Sequence, residues 1–236
     1  MSGRIHSMIS LYKAMSEELS ALSLSFDGVI YNPLDYAWDN FAAFLEMSLE
    51  YTPKTAFLGM NPGPYGMTQT GVPFGDIEAV KGYLGINGQV GKPVVESESK
   101  KITGMKTTRR EGSGKRFWTM AEAYGRKEEF FSVAAVLNYC PLCFIDGNTN
   151  ITPDKLPSED RKKLYPICDS YLQRALDIIM PSSVIAIGRF SEAALKRTWD
   201  GNIIFFPHPS PLNPSASAFW DSGDALNEFR RIVDAS

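Results

Sequence analysis

Thiol and imidazole are scarce in this chain of 236 residues, which has three cysteines and two histidines. An odd handful of cysteines excludes a disulfide framework. Two histidines without a suitable Cys or carboxylate cluster argue against a zinc centre, so neither metal nor cofactor is expected. No apolar run approaches the ~20 residues that a membrane helix needs, which excludes a spanning segment. The start, Met1-Ser2-Gly3-Arg4-Ile5-His6, puts charge and serine where a signal peptide has its apolar stretch, and so predicts an uncleaved, cytoplasmic chain. Excess positive charge is missing too. At a net charge of −3 the whole molecule is no polycation, and only a local basic patch would bring nucleic acid. Gly-x-Gly-x-x-Gly, Gly-x-x-x-x-Gly-Lys-Ser/Thr and Gly-x-Ser-x-Gly are all absent. Dinucleotide, P-loop and nucleophile-elbow chemistries fall with them.

What is present is an ordinary globular composition, 44% hydrophobic and 22% charged, which excludes disordered, collagen-like and coiled-coil classes. Residues 8–24 and 35–50 read as amphipathic helices; in the second, Trp38, Phe41, Ala42, Leu45 and Leu49 recur at steps of three and four. Between them, 26–33 reads as a small hairpin or an edge strand. Four short apolar runs follow: 55–60, 132–137, 183–187 and 202–206. Their continuous apolar character fits strands buried on both faces of a parallel sheet. Helical patterns at 112–125, 158–180, 190–199 and 222–233 separate and close them. Strands alternating with helices predict an α/β fold, a three-layer α/β/α sandwich around a mainly parallel four-stranded sheet, in one domain over 1–236. Residues 85–116, rich in glycine and charge, read as a long functional or mobile loop.

Ligands of open α/β sheets sit beyond the carboxyl ends of the strands. There the sequence places Asn61-Pro62-Gly63-Pro64-Tyr65-Gly66-Met67, Asn138-Tyr139-Cys140-Pro141-Leu142, Gly188-Arg189-Phe190 and Pro207-His208-Pro209-Ser210-Pro211. Two asparagines and a histidine would converge on one rim. Residues 59–75 hold five glycines and three prolines, which predicts a rigid loop with exposed backbone amides. Either feature alone also suits a sharp connection or a structural histidine. Cys140-Pro141-Leu142-Cys143 has redox-pair spacing, but Cys168 stands alone and Asp146, Gly147 and Asn148 follow as turn formers. Buried apolar thiols are the default. Across 100–116, Lys100, Lys101, Lys106, Arg109, Arg110, Lys115 and Arg116 face only Glu111, a basic run suited to phosphates or simply to solvent.

Taken together, Gly59-Met60-Asn61-Pro62-Gly63-Pro64-Tyr65-Gly66-Met67-Thr68-Gln69-Thr70-Gly71-Val72-Pro73-Phe74-Gly75 resembles the first motif of the single-strand-selective monofunctional uracil-DNA glycosylases. Asn138-Tyr139-Cys140-Pro141-Leu142, His208-Pro209-Ser210-Pro211 and Gly112-Ser113-Gly114-Lys115-Arg116-Phe117-Trp118 are similar to further stretches, in the family's order, over roughly 57–220. The match is to a bacterial-type member. The resemblance implies a three-layer α/β/α fold and metal-free hydrolysis of the N-glycosidic bond in single- and double-stranded DNA, by a monomer. It further implies that Asn61 positions the attacking water and Phe74 stacks on the flipped base. Asn138 would then read the Watson–Crick edge and His208 the carbonyl of the departing base, with Met60 and Gly63 beside it. Ser210, Leu212, Arg109, Arg110, Lys115 and Arg116 would meet the DNA.

Two departures stand out. Leu212 replaces an arginine, and Tyr139 a histidine, of vertebrate relatives. Gly63 leaves room where some of the superfamily are bulky, which extends the expected substrates to 5-hydroxymethyluracil and leaves other deaminated bases open. Two other readings compete: an α/β hydrolase or transferase for free nucleotides, and a non-catalytic lesion-binding protein. Steep loss of DNA affinity with salt would separate the first rival from a DNA enzyme. Three cysteines cannot supply the four thiolates of an iron–sulfur glycosylase.

Overall fold

The computed structural model describes residues 3–212 and 214–235, so Met1 and Ser2 of the N-terminal reading lie outside the described residues. Along the chain run α1 (Gly3–Ser20), β1 (Val29–Tyr31), α2 (Pro33–Tyr36), α3 (Trp38–Ser48), β2 (Thr55–Gly59), α4 (Met67–Thr70) and α5 (Ile77–Lys81). There follow α6 (Gly112–Tyr124), α7 (Lys127–Val133), β3 (Ala134–Asn138), β4 (Cys143–Asp146) and β5 (Thr149–Ile151). The chain closes with α8 (Ser158–Ile179), β6 (Ser183–Ile187), α9 (Gly188–Thr198), β7 (Asn202–Phe206), α10 (Pro214–Asp221) and α11 (Asp224–Asp234).

The expected four-stranded sheet is all parallel in the order β3-β2-β6-β7. Its strands feed two separate cores by simple alternation. Ala56, Leu58, Ala135, Leu137, Val184 and Ala186 face one core, shared with α1, α3, α8 and α9. Phe57, Val136, Ile185, Ile187 and Phe206 face the other, packed by α6, α7 and α11. Both faces are covered, which is why the strands read as continuous apolar runs. Phe57 alone meets the rings of Phe117, Phe130, Phe206 and Phe229 with centroids 5.1–6.2 Å apart. Burying such rings stabilises by about 1.5–3 kcal/mol each, enough to fix the sheet as a rigid base for its rim.

Several local expectations need correction. The strand expected at 132–137 is β3, shifted to Ala134–Asn138, because Ser132 and Val133 complete α7. That short helix is set by a capping box, the Arg126 amide donating to Glu129 Oε2 at 2.7 Å, and by buried Phe130 and Phe131. The helix expected at 35–50 is two pieces. Asn32 caps the Leu34 amide at 3.2 Å, Pro33 starts α2, and Ala37 at φ −119° interrupts it before α3. Helix 8–24 instead begins at Gly3 and ends at Ser20, with Met8, Leu11 and Met15 buried, so the N-terminal segment is part of the core. Helix 222–233 is α11, preceded by an unforeseen α10 and by Gly223 at φ +90°.

The edge strand expected at 26–33 is β1, antiparallel to β4 at one edge of a second sheet ordered β1-β4-β5. The β4–β5 hairpin was not anticipated. Its two-residue Gly147-Asn148 turn, with Gly147 at φ +53°, is the type such hairpins favour. The 85–116 segment is mostly irregular, yet it is not loose. Gln69 Nε2 donates to the Pro64 and Lys101 carbonyls at 3.0 and 3.1 Å, and Gln69 Oε1 accepts the Thr103 amide at 2.8 Å. One buried side chain thus ties this segment to the Gly/Pro-rich loop after β2.

Candidate active site

Beyond the carboxyl ends of β2, β3 and β7 opens a pocket of roughly 500 Å³, within the size range of small-molecule sites. Met60, Asn61, Gly63, Phe74, Asn138 and His208 line it. All six base-contacting and catalytic residues expected from the sequence therefore come to one cavity. Three strands deliver all but Phe74, which follows α4, because parallel strands place their C-terminal residues on a single rim.

Asn61 is fixed by its own amide. Its Nδ2 donates to the Leu142 carbonyl at 3.1 Å and to the Pro62 carbonyl at 3.4 Å. With the protons spent on backbone, Oδ1 is the atom left to accept from a water in the pocket. The surrounding turn is held by pairing past the strand ends, Tyr139 N to Gly59 O and Cys140 N to Met60 O, both 2.9 Å.

Asn138 and Phe74 pack over Gly59. A Cβ at Gly59 would fall 2.4 Å from Asn138 Oδ1 and 2.6 Å from Phe74 Cζ, so only glycine lets both side chains sit there. Asn138 Nδ2 also approaches Met67 Sδ at 3.2 Å. Phe74 has φ +53°, an uncommon conformation for a bulky residue, and its ring stacks on Phe117 at 4.6 Å and 16°. That backing holds an aromatic face against the pocket, the arrangement that suits a planar base.

His208 follows β7. The Trp220 indole donates to the neighbouring Pro207 carbonyl at 2.8 Å, and Gly188 at φ +85° lets the His208 side chain lie close over the start of α9. Burial pushes the imidazole pKa below its usual value, so at neutral pH the ring is uncharged and offers one N–H. The other rim element, Tyr139, turns away. Its hydroxyl donates to Asp169 at 2.8 Å and meets Arg197, outside the pocket.

Glu111 is the site residue the sequence reading missed. In the sequence it reads only as the single acid in a basic run, yet its side chain lines the pocket. A Cβ at Gly63 would lie 2.4 Å from Glu111 Oε2, and one at Gly66 2.9 Å from its Cγ. The room expected over Gly63 is thus taken by this carboxyl, and Gly63 and Gly66 together admit it. Burial raises its pKa above the ordinary carboxylate value. The available signal was its position, an acid just ahead of the Gly112-Ser113-Gly114 helix start.

The basic run divides. Arg110 is not free for DNA, which corrects that expectation. Its guanidinium holds fully buried Asp76 at 2.6 Å and also pairs with Glu78. Arg116 is engaged as well, with Asp221 at 2.8 Å and the Pro209 carbonyl at 3.2 Å, bracing the His208 loop. Arg109 lies over the Tyr65 ring at 4.0 Å, while Lys115 is exposed. Ser210 lines the pocket mouth, and Leu212 stands there 92% exposed. The three cysteines are buried and unpaired, with Cys143 pushed up to about 12 by burial, as expected of inert thiols. Among the described residues, no group of three or more His, Cys, Asp or Glu is placed to hold a metal ion.

The profile of the uracil DNA glycosylase superfamily matches residues 48–232. A single-strand selective monofunctional uracil-DNA glycosylase of Rattus norvegicus is 37% identical over 216 residues, spanning 88% of this chain and 78% of the relative. Its counterpart from Bos taurus is 35% identical over 225 residues, 91% of this chain and 83% of the relative. The crystal structure of wild-type Pedobacter heparinus SMUG2 superposes with a TM-score of 0.66 over 96% of this chain and 98% of that one. At 18% identity it speaks for the fold. Profile, relatives and fold agree with the motif-bearing rim, and the chain belongs to the uracil-DNA glycosylase superfamily, in its single-strand-selective monofunctional branch.

Proposed function

We propose that this protein is a monofunctional uracil-DNA glycosylase that hydrolyses the N-glycosidic bond of uracil in single- and double-stranded DNA, initiating base excision repair. It acts as a monomer, in the compartment that holds the DNA. The cytoplasm or nucleoid fits, and among the described residues no helix is long and apolar enough to cross a membrane. One observation carries the reading: a water-accepting Asn61, a ring-backed Phe74, Asn138 and an uncharged His208 line the same pocket.

A base in a duplex stack cannot be attacked, so it is extruded into the pocket. Stacking on Phe74 supplies ~1–3 kcal/mol but accepts any base. Asn138 then discriminates, giving an N–H to a carbonyl and accepting from an imino N–H. Cytosine presents the reverse pattern and leaves both unpaired. As the bond breaks, negative charge moves to the base, where the His208 N–H supplies about 3–4 kcal/mol. Water held by Asn61 meets the cationic sugar. The resemblance also implies 5-hydroxymethyluracil, but Glu111 fills the room over Gly63 on which that expectation rests, so uracil is the substrate the geometry supports.

Base release from a uracil-containing oligonucleotide, single- and double-stranded, tests this. Wild type should leave alkali-labile sites, and Asn61→Ala and His208→Ala should each cut the rate at least ~100-fold. Tight binding without release would make the protein a lesion sensor. Neither binding nor release would end the glycosylase reading.

A further inference from the structure

The proposed reaction leaves Glu111 without a task, and it also lacks a proton acceptor. Water that attacks the sugar must lose a proton. Asn61 holds that water by a carbonyl oxygen, which cannot keep a proton at neutral pH. His208 is committed to the leaving base. Glu111 is the only carboxylate among the described residues that line the pocket. Its Oε2 lies against Gly63, two residues beyond Asn61 in the same turn.

Glu111 is the N-cap residue of α6, but a short Asp, Asn or Ser fills that role without putting a carboxyl into the pocket. Arg110, its neighbour in sequence, is turned to Asp76 and Glu78. Among the described residues no lysine or arginine pairs with Glu111, and the contact that favours its charge is the Ser113 backbone amide. A half-buried carboxylate without a cation costs stability, and two glycines are spent to admit it. Such groups mark functional sites.

Resting on the glycosylase reading, we propose that Glu111 is the proton acceptor for the attacking water. The C1′–N1 bond breaks, its electron pair leaving with the base, met by His208, and the water oxygen then forms the new bond to the cationic C1′. The water proton passes to Glu111 and from there to solvent. The base anion takes up a proton from solvent, so one water is consumed, and free base and abasic sugar result.

The test is single-turnover uracil release from single-stranded DNA between pH 4.5 and 9, with wild type, Glu111→Gln, Glu111→Asp and Glu111→Ala. Wild type should lose rate on acidification as Glu111 takes up a proton. Glu111→Gln should be about 100-fold slower at pH 8 and lack that acid limb, yet bind a non-hydrolysable uracil oligonucleotide within threefold of wild type. Glu111→Asp should keep the limb, and added formate should return part of the rate to Glu111→Ala.

Other groups near the carboxyl are Asp76 and Arg110, paired with each other, with Cys143, Lys155 and His208. Cys143 titrates far above this range. Protonating His208 adds positive charge where the base becomes negative, so it does not produce a loss on acidification. Glu111→Gln within threefold of wild type throughout would overturn the proposal. So would a loss matched by lost binding, or one confined to 5-hydroxymethyluracil, which would make Glu111 a reader of the base. Wild type that releases no uracil fails the glycosylase reading itself, and this proposal with it.

Discussion

Arg110 holds Asp76 through Nε at 2.7 Å and Nη2 at 2.6 Å, and the carboxylate it grips is fully buried. The same carboxylate accepts the Glu111 amide at 3.0 Å, so this pair anchors the segment that brings Glu111 to the pocket. Arg110→Met leaves Asp76 charged and unpaired. With Arg110 34% exposed, the cost should be about 2–4 kcal/mol, below the full range for buried pairs. A melting temperature roughly 5–15 °C lower should result. Lys115→Ala should behave oppositely, leaving stability alone and reducing the salt dependence of DNA binding by about one unit. An unchanged melting point in Arg110→Met would return that arginine to the DNA-binding set.

Gly59 carries Asn138 and Phe74 on its open face. Gly59→Ala should push both aside, slowing uracil release about 10- to 100-fold, the cost of misplacing reacting groups by an ångström or less. Overpacking should take about 1–3 kcal/mol from stability. Release rate and thermal melting on one preparation decide it, and full activity would mean that neither side chain reads the base.

Leu212 is 92% exposed at the pocket mouth. An apolar side chain there suits a wedge between base steps. Leu212→Ala should therefore leave melting unchanged and slow release from duplex DNA several-fold more than from single strands. Equal effects on both substrates would remove the wedge.

The raised pKa of Glu111 carries a stability cost with a definite sign. The folded state holds this proton more tightly than the unfolded chain, whose value is near 4.5. That advantage is complete below the unfolded value and is lost as pH rises through the folded one. Glutamine has no charge to bury. Glu111→Gln should thus melt higher than wild type at pH 8, with the difference fading towards pH 4.5. A lower melting point at pH 8 would reveal a cation partner for the carboxylate.

Much of this was legible in the order of residues. Continuous apolar runs at 55–60 and 183–187 announce strands buried on both faces. The Asn-Pro-Gly, Asn-Tyr-Cys and His-Pro-Ser segments after strands announce a shared rim. Those signals are local: they follow from side-chain period, from turn chemistry and from the rule that parallel strands end together. Boundaries slipped where local chemistry competes, as at Val133, which carries strand propensity but finishes a capped helix.

What only the tertiary structure decided are relationships between distant segments. Charge along 100–116 reads as one basic patch, but folding spends Arg110 on Asp76 and Arg116 on Asp221. Gly63 reads as open space, but Glu111 occupies it from another loop. Composition records which charges a chain has. Which of them are desolvated, paired or left facing a substrate depends on distances across the fold, and the sequence alone does not contain those.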